Sequence, residues 1–223
     1  MVGTILGFSL VAGAIYWLYR TKQRDFADCA AALGLALIPR GESTRGTTSE
    51  GFYFFETLLA EGRVGGLRAR LSMRNVRVNA SMARRNQGSQ FTVLTLLRET
   101  PGPATFRLQV RGVMSFLERF MEDHPATPTG NAAFDAAYHL HTDNDAAALA
   151  VLTPALQKEI LDLRTRLAGP LPDNVPGKLA AGFLIGNWEI AGDQVSYLIF
   201  GSPLKKIGDH LAQVAPLLAR FAA

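Results

Sequence analysis

The chain begins with a long run of apolar residues. Residues 2–19 carry no charged side chain, and Arg20, Lys22 and Arg24 follow directly. A membrane-spanning helix needs about 20 mainly apolar residues, so this run lies at the short end of the usual range. The pattern therefore predicts a single transmembrane helix, an anchor over residues 1–20.

Positive charge beside the anchor predicts its orientation. No Lys or Arg precedes the apolar run, and loops rich in Lys and Arg stay on the cytoplasmic side of a membrane. We expect the N-terminus outside and the C-terminal domain in the cytoplasm, at a bacterial inner membrane. A cleaved signal peptide is the alternative, because residues 12–14 (Ala-Gly-Ala) resemble a cleavage site. Signal peptides, however, carry their basic residues before the apolar run.

Two glycines within the anchor, Gly3 and Gly7, lie four residues apart. Small residues at this spacing let membrane helices approach closely, which predicts packing against other membrane helices through this face. Ordinary membrane-helix composition explains the same pair without any partner.

After the anchor, the spacing of apolar residues predicts one α+β domain. Phe26, Cys29, Ala30 and Leu33 recur at helical spacing, which predicts a juxtamembrane helix over residues 21–34 that ends at Gly34. The pattern then predicts strands over 35–39, 52–61, 67–78, 91–99, 106–111 and 134–141, helices over 113–123, 145–152, 154–167 and 203–221, and a hairpin over 178–201. Strands do not alternate regularly with helices, so we expect a mainly antiparallel sheet with flanking helices over residues 35–223.

One predicted strand changes the direction in which its apolar residues face. Leu67, Ala69, Leu71 and Met73 alternate with polar residues, but Val76 has the opposite parity. One extra residue reverses the facing of a strand, so the sequence predicts a bulge or sharp bend between Met73 and Val76.

Charge is distributed unevenly along the chain, whose net charge is +4. Residues 20–100 hold 13 Lys and Arg against 7 Asp and Glu, and no acidic residue lies between Gly62 and Arg98. The basic residues that we expect to face a membrane or a partner are Arg20, Lys22, Arg24, Arg63, Arg68, Arg70, Arg74, Arg77, Arg84 and Arg85. Anionic lipid headgroups attract such residues, and acidic loops of a membrane protein complex would too. A solvated sheet face explains the charge equally well. Nucleic acid is not expected as a partner, because few aromatic residues are interleaved with the arginines.

Candidate chemistry is sparse. On a strand, His139 and His141 would point the same way with Asp143 just beyond, a set that suits a divalent transition metal. Two exposed strand histidines followed by a helix cap at Asp143 and Asn144 explain the same residues. Cys29, the single cysteine, lies in an apolar helical run where cysteine behaves as a small hydrophobic residue. No phosphate-binding loop or nucleophile elbow is present, so we expect no cofactor and no catalytic residue.

One segment carries a recognisable pattern: Phe-Asp, an aromatic residue, a hydrophobic residue and Thr-Asp, then a short Ala/Leu helix and Leu-Thr-Pro. The positions are Phe134, Asp135, Tyr138, Leu140, Thr142, Asp143, Leu152, Thr153 and Pro154. This segment resembles uncharacterised membrane-anchored bacterial proteins, over about a tenth of the chain. The resemblance implies a non-enzymatic domain and transfers no catalytic residue.

Together these patterns predict a non-enzymatic accessory or scaffold subunit of a bacterial inner-membrane protein complex. Two alternatives stay open. One is a membrane-tethered metal-dependent enzyme that uses His139, His141 and Asp143, and the other is a peripheral domain that binds anionic lipid.

Overall fold

The computed structural model describes residues 20–39, 45–47, 53–77, 89–111, 126–168, 186–200 and 207–222. The strands are β1 (Ala36–Leu37), β2 (Arg45–Thr47), β3 (Tyr53–Val64), β4 (Leu67–Arg77), β5 (Ser89–Leu97), β6 (Phe106–Val110), β7 (Tyr138–Thr142), β8 (Asn187–Ala191) and β9 (Gln194–Phe200). The helices are α1 (residues 20–32), α2 (Ala132–Ala137), α3 (Asp145–Val151), α4 (Pro154–Ala168) and α5 (Ile207–Ala222).

These strands form one nine-stranded sheet in the order β1-β3-β4-β5-β9-β8-β6-β7, with β2 also paired to β3. Every strand pair is antiparallel. The predicted α+β class, with an antiparallel sheet and flanking helices, is therefore confirmed. None of the helices within the described ranges has the length and apolar character needed to cross a bilayer. Residues 1–19, where the anchor with Gly3 and Gly7 is predicted, lie outside those ranges.

Helix α1 forms where its apolar spacing predicts. Phe26, Cys29, Ala30 and Leu33 are all buried, and the chain leaves the helix through Gly34 at φ 69°. Side chains rarely adopt this left-handed conformation, so glycine suits the end of the helix. Burial also raises the pKa of the Cys29 thiol to about 12, which keeps it protonated, as expected of a small hydrophobic residue.

The hydrophobic core lies between the helices and one face of the sheet, here called the core face. Trp188 and Tyr197 of the sheet contact each other edge to face, with ring centroids 4.8 Å apart, and Phe221 of α5 lies 5.6 Å from Trp188. Helix α5 buries the stripe that its sequence predicts: Ile207, Leu211, Val214, Leu218 and Phe221. The predicted residues Leu204, Ser202 and Pro203 lie outside the described ranges, as does the helix predicted over 113–123.

The predicted strand over 134–141 is wrong in its first half, which forms helix α2. Asn131 caps this helix, because its side chain accepts hydrogen bonds from the backbone of α2, including Phe134 N–H at 3.3 Å. The Asp135 carboxylate accepts hydrogen bonds from the backbone N–H and hydroxyl of Thr129. These local polar contacts favour a helical turn over the alternation of apolar residues, and the strand begins only at Tyr138.

The predicted irregularity near Met73 lies in the neighbouring strand instead. Strand β4 pairs with β5 without interruption from Arg68 to Val76, so β4 contains no bulge there. The register shifts in β3 between Glu56 and Leu58, and the Thr57 hydroxyl donates to the Met73 carbonyl at 3.3 Å. The extra residue is therefore in β3, where the sequence shows no comparable change of parity.

Two other predicted features are confirmed. The β8–β9 hairpin turns at Gly192, whose φ is 59°. Helix α4 begins at Pro154, and the Thr153 hydroxyl accepts a hydrogen bond from Leu156 N–H at 3.3 Å. Proline at the first helical position follows directly after this capping threonine, as expected.

Candidate functional site

The sheet face opposite the core face, here called the polar face, carries a row of polar residues across seven strands. One residue from each strand is directly opposite the next in the strand register. In order across the sheet these residues are Glu61, Arg70, Thr95, Ser196, Glu189, Arg107 and His141. The hydroxyls of Thr95 and Ser196 lie 2.9 Å apart, and Arg107 Nη2 lies 3.4 Å from Glu189 Oε1. Directly opposed polar residues stabilise antiparallel strands, so much of this row supports the sheet itself.

Two arginines on the β3–β4 part of this face are held by carboxylates. Arg74 Nε lies 3.1 Å from Glu56 Oε1, and their side chains are 13% and 3% exposed. Arg70 bridges Glu61 at 2.8 Å and Glu56 at 3.5 Å. A buried carboxylate needs a charged partner, so Arg70 and Arg74 neutralise the acidic residues beside them.

Two further arginines at the β3–β4 hairpin are not neutralised in this way. Arg63 and Arg68 are directly opposite each other in the strand register, and both are exposed. Arg63 donates a hydrogen bond to the Gly66 carbonyl at 2.8 Å. Within the part of the chain that the structure describes, Arg68 makes no ion pair or hydrogen bond. Like charges in opposed positions destabilise a strand pair, so this end of the sheet retains an unfavourable concentration of positive charge.

A pocket of about 370 Å³ opens beside Arg68 on the polar face. We call it the arginine pocket, and its polar lining consists of Arg68, Arg70, Arg74, Glu61, Asp193, Thr95 and Gln194. Leu97 adds an apolar wall. Asp193 is exposed in the β8–β9 turn. The pocket therefore combines one guanidinium without a described acidic partner with carboxylates at its margin.

Two contacts of helix α1 define its direction along the sheet, and so the position of the arginine pocket relative to the predicted membrane anchor. Near the start of α1, Lys22 Nζ donates to Gln90 Oε1 at 3.3 Å, and Gln90 pairs with Asn75. Just after α1, Leu35 packs so closely on Gly62 that a Cβ there would lie 3.0 Å from Leu35 Cδ2. The helix therefore runs along the sheet from the Asn75 end towards the hairpin.

Apart from Arg70 and Arg74, the basic residues of the predicted membrane-facing set that the structure describes consequently lie at two ends of the sheet. Arg20, Lys22 and Arg24 lie in the first described turns of α1, which we call the proximal end, and Arg20 and Arg24 are exposed. Arg68 is seven residues from Asn75 along β4, which corresponds to about 23 Å at a rise of about 3.3 Å per residue. Arg63 and Arg68 thus mark a distal end.

Three arginines of the predicted set lie partly or wholly outside the described residues. Arg77 is the last residue of β4, opposite Tyr53 and therefore at the proximal end, but its side chain is outside the described part of the structure. Arg84 and Arg85 also lie outside the described residues.

The histidine pair adopts the predicted arrangement on β7. The rings of His139 and His141 lie on the same face, with centroids 6.0 Å apart. Asp143 is exposed, and the N-cap of α3 is Asn144, whose side chain accepts from Ala147 N–H at 3.0 Å. Among the residues with described positions, no group of three or more His, Cys, Asp and Glu side chains is placed to hold a metal ion.

Two polar arrangements in this domain could not be predicted from the sequence. The first is a buried pair, Tyr197 and His210. The Tyr197 hydroxyl accepts from Gly186 N–H at 2.7 Å and lies 3.1 Å from His210 Nε2. Burial lowers the pKa of His210 to about 4 and raises the pKa of Tyr197, so both are neutral near pH 7. No sequence spacing brings these residues together.

The second arrangement is that of Arg98, a half-buried residue whose contacts support the fold. Its Nε donates to the Phe221 carbonyl at 3.0 Å, in the last turn of α5, and its Nη1 donates to the Gly192 carbonyl at 3.4 Å. Burial lowers the pKa of Arg98. A cation at the C-terminal end of a helix satisfies carbonyls that have no partner within the helix.

No family model and no curated protein matches the chain. Among solved structures, the chain is similar to the mycobacterial trehalose monomycolate transport factor A, TtfA, with 11% sequence identity and a TM-score of 0.48. The similarity covers 89% of this chain and 94% of TtfA. At this level of identity and TM-score, the similarity says nothing about function.

Proposed function

We propose that the chain is a non-enzymatic accessory or scaffold subunit of a bacterial inner-membrane protein complex. An N-terminal anchor over residues 1–20 holds the α+β domain on the cytoplasmic side. The observation that carries this proposal is the direction of α1, whose described residues 20–32 follow the apolar run in the sequence and extend along the sheet towards the exposed arginine pair.

The proximal end is suited to the lipid surface. If the anchor continues into α1 as one helix, Arg20 and Arg24 are separated by about 6 Å along the helix axis, at about 1.5 Å per residue. Both side chains are exposed and lie just beyond the apolar run. A basic residue near an anionic leaflet gains about 1 kcal/mol, so these residues would hold the domain close to the headgroups.

The distal end lies too far away for the same role. Arg68 is about 23 Å from the level of Asn75 along β4, by the rise of about 3.3 Å per residue. Electrostatic attraction between exposed charges falls off over about 8 Å at physiological ionic strength. The arginines at the distal end are therefore available to a protein partner rather than to lipid.

Purification of the full-length chain tests the accessory role. We expect a chain with a C-terminal tag, extracted in mild detergent, to elute with a defined integral membrane protein that mass spectrometry identifies. A chain that elutes alone as a stable monomer would contradict the proposal.

A matched pair of substitutions locates the membrane contact. Gly7→Leu should reduce co-elution if the face with Gly3 and Gly7 packs on a partner helix. Ser9→Leu is the control, because residue 9 lies about 200° from residue 7 around an ideal helix. Equal effects of the two variants would remove the glycine face from the proposal.

A peripheral lipid-binding domain is the second candidate, favoured by the exposure of Arg20 and Arg24. Washing membranes in about 1 M salt shortens the screening length to about 3 Å and releases proteins held by charge alone. We expect the full-length chain to stay with the membrane. Release into the supernatant would instead support the peripheral domain.

A further inference from the structure

We infer that the arginine pocket is the docking site for an acidic segment of a partner protein. The inference rests on the proposed function, which requires a partner but does not say where on the domain the partner binds. It names both the surface and the chemistry of the ligand, a stretch of chain that bears Asp or Glu side chains.

The balance of charge at the distal end is the first argument. Glu56 and Glu61 engage Arg70 and Arg74, whereas Arg63 and Arg68 form no ion pair with the described residues. The opposed pair is unfavourable for the sheet alone. A carboxylate between them would relieve this repulsion and accept paired hydrogen bonds from a guanidinium.

The spacing of the charges favours a peptide over a single small anion. Opposed residues of an antiparallel pair have Cα atoms about 5 Å apart, so Arg63 and Arg68 present two neighbouring sites. Arg68 lines the pocket, and Arg63 is directly opposite it on the neighbouring strand β3. An extended segment with several carboxylates can engage both at once, and Leu97 offers it an apolar contact.

The lining of the pocket also argues against a dedicated phosphate site. Phosphate sites commonly use helix N-termini or clustered backbone N–H groups. The lining residues belong to strands and to the β8–β9 turn, and two of them, Glu61 and Asp193, are carboxylates. These carboxylates repel a doubly charged phosphate more strongly than the single charge of each Asp or Glu side chain.

Binding of fluorescein-labelled hexaglutamate to the full-length chain in neutral detergent, followed by anisotropy, tests the inference. Arg68→Glu should weaken binding by about tenfold, because an attraction is replaced by a repulsion. Arg111→Glu changes the net charge equally at another exposed position and should leave the affinity within about twofold. Equal losses in the two variants would overturn the inference, because binding would then follow net charge alone.

A substitution that removes a negative charge from the pocket should have the opposite effect on binding. Asp193→Asn removes a carboxylate from the margin of the pocket and should tighten peptide binding by about twofold to threefold. Unchanged or weaker binding would count against the pocket as the site. Because Arg68 is exposed, the thermal midpoint of Arg68→Glu should be equal to that of the parent chain or slightly higher, which separates lost binding from lost folding.

Competition distinguishes the ligand classes. Inorganic phosphate at millimolar concentration, and lipid nanodiscs rich in phosphatidylglycerol, should displace the peptide poorly from the pocket. Efficient displacement by phosphate would identify a phosphate site, and displacement by nanodiscs a lipid site, and either result would overturn the inference.

The inference and the proposed function can fail separately. If the full-length chain co-elutes with a membrane partner and Arg68→Glu does not reduce this, the inference fails while the accessory role stands. If the chain elutes alone but binds hexaglutamate through Arg68, the accessory role fails while the site stands.

Discussion

The two ends of the sheet in this domain surround their basic residues differently. At the proximal end, Lys22 is hydrogen-bonded to Gln90, and α1 packs its apolar side into the core. At the distal end, Arg63 and Arg68 oppose each other across the β3–β4 hairpin, and neither forms an ion pair with any described carboxylate. Beside the proximal end, Glu56 is opposite Arg74 and joins Arg74 and Arg70 in one cluster.

The number of arginines in the sequence therefore does not reveal their roles. Arg70 and Arg74 alternate with apolar residues in the same way as Arg68, yet they neutralise acidic residues of β3. Only the residue across the strand distinguishes them, because opposed side chains interact directly. Among the arginines of β3 and β4 whose side chains are described, those without a carboxylate partner are Arg63 and Arg68 at the hairpin.

The largest expected effect concerns the buried cluster. Glu56→Gln should lower the free energy of unfolding by about 4 kcal/mol, because it removes the Glu56 carboxylate from its ion pair with the largely buried Arg74. Glu61→Gln, at a carboxylate that is 40% exposed, should cost less than about 1 kcal/mol. Urea denaturation of both variants checks this, and similar losses would show that burial of the Glu56–Arg74 pair adds nothing to its contribution to stability.

The next effect concerns His210, which is buried against Tyr197 in the core. The pKa of His210 falls from 6.5 to about 4 on folding, so the unfolded chain binds the extra proton between these values. Stability from this group is complete above about pH 6.5 and is lost as the pH falls towards 4, by up to about 3 kcal/mol. Denaturation between pH 4 and 7 measures it. His210→Gln should flatten this dependence, and an unchanged slope would assign it to other groups.

Substitution of Arg98 tests whether this arginine, from the same basic stretch, stabilises the fold at the distal end. Arg98→Ala should cost about 2 kcal/mol, because the carbonyl of Phe221 loses a charged hydrogen-bond donor. Amide hydrogen exchange in the last turn of α5 should accelerate at the same time. Arg98→Lys keeps the charge and should recover part of the loss, whereas no loss in either variant would contradict the structural role.

The smallest expected effect is a gain in stability, in contrast to the losses above. Arg68→Glu replaces a repulsion with Arg63 by an attraction, so the domain should become more stable by about 0.5 kcal/mol. Arg111→Glu, which faces no such opposed arginine, is the control. Lower stability of Arg68→Glu would mean that Arg68 supports the fold, and the proximal and distal arginines would then differ less than we argue.

Elements with strong local signals follow from the sequence. The apolar spacing in α1 and α5, the Thr153–Pro154 start of α4 and the glycine turn at Gly192 all appear where predicted. Helix α2 does not, because side-chain contacts around Asn131 override its alternating pattern. Local chemistry therefore determines most of the helices and the hairpin.

The candidate site depends on contacts that are distant in sequence. The sequence places Arg63 and Arg68 among the candidate basic residues, but it cannot separate them from Arg74, whose partner Glu56 is 18 residues away. The position of the bulge in β3 sets that pairing, and only the strand register reveals it. The arginine pocket likewise requires Asp193, which comes from a different hairpin.

The opposite placement of the two basic groups relative to the bilayer is the central claim, and depth-dependent fluorescence quenching tests it most directly. Single fluorophores are attached at Arg24→Cys and Arg68→Cys in the full-length chain in nanodiscs that contain headgroup-labelled quencher lipid. Cys29 is buried with a thiol pKa of about 12, so it should react little with the dye. We predict strong quenching at position 24 and almost none at position 68. Equal quenching at both positions would contradict the account.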